Sequence, residues 1–171
     1  MTDADLEALN IYQEAGGEPD EGKAAVARVV RNRMRRKFFS DGTVAGTVLA
    51  KDQFSWAWFA FVAAPMTGHA NPGKHLHEYV RLAYTRTEAQ GLADALLKRV
   101  VPKILAHCHD IAGQVASGTY YGPGYAKLGN DAVSYLNPRI LTKLPNWATS
   151  DRFIVSIGHH DFYRSEPALI S

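Results

Sequence analysis

The chain has 171 residues, a formal net charge of +2 at neutral pH and a sequence pI near 8.7, with 46% hydrophobic and 21% charged residues. That length forms one domain able to bury roughly two-thirds of its unfolded surface, and the composition excludes wholesale disorder. No apolar run is long enough to span a bilayer. The mildly basic balance is compatible with an anionic polymer as partner without specifying one. The acidic start, Met1 to Glu7, lacks the basic n-region and apolar h-region of a signal peptide. The expectation is therefore synthesis in the cytoplasm, with the protein carried to any other place of action. Cys108 is the only cysteine, so no internal disulfide forms, and it reads as a small buried hydrophobe.

The first predicted element is a helix over 4–15, with Asp3 or Asp5 as N-cap and Leu6, Leu9 and Tyr12 on one face. Gly16 and Gly17 are expected to end it through conformations closed to other residues. A second helix, read as central, runs from Pro19 to Lys37 with Asp20 and Glu21 in its first turn and Arg35, Arg36 and Lys37 in its last. Both placements complement the helix dipole. Ala25, Val26, Val29, Val30 and Met34 form its apolar stripe. Its basic end has the composition of a phosphate-binding footprint. No recognition helix or RNA-binding aromatic signature accompanies it, so it reads as a solvated face and no nucleic acid is expected.

Asp41-Gly42 marks a turn, and a short helix is expected over 44–49. The densest aromatic cluster follows, Gln53 to Phe61, which reads either as core or as a ligand groove. Residues 64–77 read as a loop, covering a cleft or forming irregular surface. Helical pattern then runs from Glu78 to about His109, interrupted at 85–87 with Thr87 as N-cap and kinked or divided at Pro102. Ser117 to Tyr125 reads as a Gly-rich, Tyr-rich loop. Residues 132–136 form a strand ending in a turn at Asn137-Pro138, and 153–163 form two strands around a Gly-His turn.

Seven histidines raise the question of a metal. The pairs His75/His77 and His107/His109, and the neighbours His159-His160, lack the cysteine pairs or His-Glu-x-x-His spacing of a zinc site. No metal or other cofactor is expected. Nucleophilic catalysis finds no Gly-x-Ser-x-Gly elbow, and Cys108 sits within an apolar helical stretch. Carboxylate chemistry remains. Four carboxylates crowd 10–22, and Glu14 at a helix end is the candidate acid, since a glutamate walled by apolar groups can hold a proton for a leaving oxygen.

Tyr12-x-Glu14-Ala15-x-Gly17-Glu18-Pro19-x-Glu21-Gly22, followed by Ala25-Val26-Ala27-x-Val29-Val30-x-Asn32-Arg33, resembles the opening of the SleB-type cell wall hydrolases. These include spore cortex-lytic enzymes and bacteriophage endolysins. The resemblance continues through Gln53-Phe54-Ser55-Trp56, Tyr135-x-Asn137-Pro138 and Ile157-Gly158-x-His160-x-Phe162-Tyr163, covering about residues 10–164. It implies a lysozyme-like α+β fold, mainly α-helical, in a single domain with a small β lobe. It further implies a lytic transglycosylase or muramidase acting on peptidoglycan glycan strands between N-acetylmuramic acid and N-acetylglucosamine. The family's catalytic acid falls on Glu14. Glu18, Gln53, Phe54, Trp56, Tyr135 and Asn137 match positions lining or supporting the cleft.

The chain departs from the family pattern at Gly16, where Arg is usual, and in a longer, more helical stretch over 62–130. Tyr120, Tyr121 and Tyr125 are therefore expected in a different cleft wall. A monomeric phage lysin, released through a holin or carried in a virion, fits the absence of a signal peptide. A non-catalytic glycan-binding virion module is the alternative from another class.

Overall fold

The protein is described here by a computed structural model covering residues 1–64 and 76–166. The loop expected over 64–77 thus falls almost wholly outside the described residues, and so does the side-chain part of the His75/His77 reading.

Helix α1 (Asp3–Ala15) is started by Thr2, not by Asp3 or Asp5. The Thr2 hydroxyl accepts from the Asp5 N–H, and the Asp5 carboxylate accepts from the Thr2 N–H, so two orphan donors are satisfied reciprocally. The helix does not end through a left-handed glycine: Gly16 is still helical at φ −56°, ψ −35°. Glycine is needed there for space, because a Cβ would lie 2.5 Å from the Tyr12 carbonyl oxygen.

Helix α2 (Asp20–Arg36) crosses the core, with Ala24 to Ala27, Val29 and Val30 fully buried. The sequence has no glycine at its end, so Lys37 itself adopts φ +51° and its N–H closes on the Arg33 and Met34 carbonyls. The basic end, Arg35, Arg36 and Lys37, is exposed, but most of the cluster is also tied to the rest of the chain. Arg28 reaches Gly129 O and Asn130, Arg33 reaches Val133 O, and Arg36 pairs with Asp131. Arg31 pairs instead with buried Glu7 of α1. Asn32, 1% exposed, donates to the Ala132 and Gly129 carbonyls. One face of α2 therefore clamps the chain leading into strand β3 (Ala132–Leu136).

After the short helix α3 (Val44–Val48), the chain makes a 3₁₀ turn at Ser55–Ala57 and enters a hairpin of β1 (Phe59–Ala64) and β2 (Leu76–Arg81). The helical reading from Glu78 is corrected here: this stretch pairs antiparallel with β1, Val80 opposite Ala60 and Arg81 opposite Phe59. Helix α4 (Arg86–Leu97) begins at Thr85, which makes a capping box with Glu88 and displaces Thr87 from that role. Pro102 divides the helices by occupying the first turn of α5 (Pro102–Ser117), where its missing N–H costs nothing. A further helix, α6 (Pro123–Leu128), begins inside the loop expected over 117–125 and runs past its end. Strands β3, β4 (Phe153–Ile157) and β5 (His160–Arg164) form an antiparallel sheet in the order β3-β5-β4.

Two apolar clusters result. One joins α1, α2 and α5 to α6 and Phe162, and the other lies under α3, α4 and the aromatic segment with Phe54 and Trp58 fully buried. Tyr135 packs against both. The end of α1 opens beside it.

Candidate active site

Glu14 lies in the last turn of α1, half-buried, on the wall of a cavity of about 340 Å³. Gln13, Glu18, Trp56, Tyr135, Asn137 and His160 line the same cavity. Their placement follows from the elements. Tyr135 sits on β3, which the α2 arginines and Asn32 hold in place, and its hydroxyl donates to Glu14 Oε2 at 2.9 Å. Trp56 sits on the 3₁₀ turn, and its indole N–H donates to Asn10 Oδ1 at 2.9 Å, one turn before Glu14 on α1. Asn137 follows β3, and its side-chain oxygen accepts from the Arg139 N–H, turning the chain at the cavity edge.

Burial pushes the Glu14 carboxyl above its ordinary value, against the opposing Tyr135 hydrogen bond and the nearby Arg33 guanidinium. Burial also raises Tyr135, reinforced by the Glu14 charge, so the phenol stays protonated and remains a donor. Arg33 is buried at 6% exposure, bonded to Val133 O and in range of Gln53 Oε1 at 3.5 Å. Its guanidinium stands 5.1 Å from the Phe54 ring centroid. It supplies the cation beside Glu14 that Gly16 does not.

Glu18 behaves differently. Burial pushes its carboxyl up, but the His159 N–H and Nδ1, together with attraction to His160 and His159, bring it below its ordinary value. The distances are 2.9 Å from the His159 N–H and 2.7 Å from Nδ1. The contact requires Gly158, which turns at φ +61° and whose Cβ would lie 1.9 Å from Glu18 Oε2. Glu18 therefore ties α2's start to the β4–β5 turn. Glu21 is likewise more than a first-turn charge: it accepts from the Gly124 and Tyr125 N–H groups and so caps α6.

Of the residues expected at the site, Glu14, Glu18, Trp56, Tyr135 and Asn137 converge on one cavity. Gln53 and Phe54 stand behind Arg33 and do not line it, because the Phe54 ring is buried in the core at 2% exposure. Tyr120 and Tyr121 are not brought to Glu14. Tyr120 packs edge-on against Tyr125 at 4.9 Å, and Tyr121 is 83% exposed. The residues that follow them enter α6, whose first turn Glu21 holds through Gly124 and Tyr125. Asn10, Gln13, Ser55, Arg33 and His160 were not singled out as site residues, although Ser55, Arg33 and His160 stand inside the matching motifs. For Asn10 and Gln13 the signal is their place within a turn of Glu14 on the same helix. Among the described residues no cluster of His, Cys, Asp and Glu could hold a metal. His107 and His109 diverge, to Asp20 at 2.7 Å and Asp5 at 3.3 Å.

A mainly helical body, a small antiparallel sheet and a carboxylate cavity between them make this a lysozyme-like α+β protein. The sequence profile of the cell wall hydrolase family matches residues 17–163, and the chain belongs to that family of enzymes acting on peptidoglycan. The matched span begins just after Glu14. No curated protein matches the sequence. Two solved structures share the fold at 22% identity. The catalytic domain of the germination-specific lytic transglycosylase SleB from Bacillus anthracis matches with a TM-score of 0.56, over 95% of this chain and 93% of that one. The catalytic domain of the Bacillus cereus SleB protein matches with a TM-score of 0.57, over 95% and 89%.

Proposed function

We propose that the chain is a single-domain lytic transglycosylase that cleaves peptidoglycan between N-acetylmuramic acid and N-acetylglucosamine, with Glu14 as acid and then base. The observation that carries this reading is the pairing of a raised Glu14 carboxyl with a donor fixed on one of its oxygens. Tyr135 occupies Oε2, so Oε1 is the atom left to hold the transferable proton. Protonation of the glycosidic oxygen releases the N-acetylglucosamine end and leaves positive charge at the muramoyl C1. The Glu14 carboxylate, now anionic beside Arg33, then takes the proton of the muramoyl 6-hydroxyl as that oxygen bonds to C1. A 1,6-anhydro ring forms, no water is consumed and Glu14 ends protonated as it began. This route needs no second carboxylate as nucleophile. Glu18 is engaged by two bonds from His159, which supports a positioning role at the cavity wall. The structural relative named as a lytic transglycosylase supports the same choice.

A second reading rests on a specific observation. Glu18 lines the same cavity with its carboxyl lowered while Glu14's is raised, the separation that divides acid from base in two-carboxylate enzymes. On that reading the enzyme is a muramidase and Glu18 activates water. Mass spectrometry of muropeptides separates the two, since the anhydro product is lighter by one water. The resemblance to phage endolysins supports a place of action at the cell wall, reached by holin release or in a virion.

A further inference from the structure

The cavity that holds Glu14 has a neighbour. A chamber of about 500 Å³ opens beside it, and Gln13, Ser55 and Trp56 line both. Trp56 thus stands as a partition between two compartments of one groove. The second compartment has a different chemistry. Leu82 of the segment after β2, and Leu92, Ala95 and Leu96 on one face of α4, form its floor. Leu82 is 45% exposed, and Leu92 and Leu96 are only partly buried. Arg99, just beyond the end of α4, lines the same chamber. Its side chain is exposed, and among the described residues its guanidinium makes no hydrogen bond or ion pair.

A pyranose ring is covered with hydroxyls and needs several polar partners, which this apolar floor, completed by Phe59 and Ala60 of β1, does not provide. The glycan strand of peptidoglycan carries another component at each muramoyl unit: a short peptide attached through a lactyl group, with alanine methyls and free carboxylates. Small apolar groups fit the leucine floor, and a carboxylate fits a guanidinium bidentately. The volume lies within the range of sites that hold ligands of a few residues. We propose that this chamber is a peptide-stem subsite: it takes the stem of a muramoyl unit bound at the Glu14 cavity, with Arg99 pairing a stem carboxylate and α4 receiving its alanine methyls. This inference rests on the reading of the chain as a muramoyl-glycan-cleaving enzyme.

The test compares two soluble, uncross-linked substrates: glycan strands bearing stem peptides, and the same strands stripped of them by an amidase. The wild-type protein is expected to show a KM roughly tenfold lower on stem-bearing strands, the size of one charge-assisted hydrogen bond. Arg99→Gln and Ala95→Phe, both at exposed positions, remove the cation and fill the chamber. Each should raise KM on stem-bearing strands to the stripped value while leaving KM and kcat on stripped strands unchanged. Equal wild-type KM on the two substrates, or variants that weaken both equally, would overturn the subsite while leaving the cleavage reading intact. Absence of any cleaved product from either substrate would overturn the cleavage reading and the subsite together.

Discussion

At the scale of single residues, Glu14 is the group whose ionisation the fold disfavours most visibly at the site. Burial raises its carboxyl above the ordinary value of 4.5. A carboxyl raised in the folded state contributes stability below its unfolded pKa and loses it as pH rises through the folded pKa. Wherever the side chain is ionised, its charge is therefore a stability cost. Glu14→Gln keeps an acceptor for the Tyr135 hydroxyl and removes that cost. The expected result is loss of muropeptide release with a melting temperature equal to or above wild type at neutral pH, the difference vanishing in acid. Thermal unfolding at two pH values, beside a digestion assay, checks both halves. Tyr135→Phe probes the same carboxyl from the other side. Its hydroxyl favours the charged form of Glu14, so its removal should move the alkaline limb of the activity profile to higher pH, as well as lowering kcat.

At the scale of elements, the Glu18–His159 contact depends on a turn that only glycine makes without strain. Gly158→Ala introduces a Cβ 1.9 Å from Glu18 Oε2 and forces a left-handed residue. The expected cost is about 1–3 kcal/mol, from backbone strain and the displaced carboxylate, read by denaturant unfolding. Restoration of stability in the double variant with Glu18→Ala, down to the residual strain term, would assign the clash.

How far elements were legible in the sequence follows from whether their signals were local. The α1–α2 corner, β3 and the β4–β5 pair carry local periodicity and turn residues, and they stand where the spacing placed them. The second helix end, at Lys37, was legible only as basic charge, because its left-handed residue is not glycine. Strand β2 was read as helix from Glu78 onward, since its residues lack alternation and its partner β1 is not adjacent in sequence. Helix α6 was read as loop because its cap is Glu21, about a hundred residues earlier in the chain. The site divides in the same way. Glu14 and Tyr135 were legible through their motifs. The cation at Arg33 was hidden among five other basic residues, and only tertiary contact distinguishes the buried one from those gripping the β3 approach.

At the scale of the whole molecule, the helical body and the sheet are joined by polar groups that have no water to fall back on. Asn32 is 1% exposed and donates to two carbonyls of the 129–132 segment while accepting from Arg35. Asn32→Leu keeps similar bulk but leaves those carbonyls without that donor. A destabilisation of about 1–3 kcal/mol is expected. Because β3 carries Tyr135, hydrogen exchange at Ser134 to Leu136 should quicken along with the loss. Unchanged exchange there would mean that the sheet is held by its strand partner β5 and not by α2.

The same joint explains how a corner of α1 becomes a site. Glu14 would be an ordinary helix-end carboxylate without the strand that α2 holds against it and the indole that Asn10 fixes in the same cavity. The measurement that tests the central claim most directly is mass spectrometry of the muropeptides released from purified sacculi by wild-type protein and by Glu14→Gln. The wild type should give 1,6-anhydromuramoyl ends and the variant no released glycan fragments. Hydrated muramic acid ends from the wild type, or anhydro products at undiminished yield from Glu14→Gln, would contradict that claim.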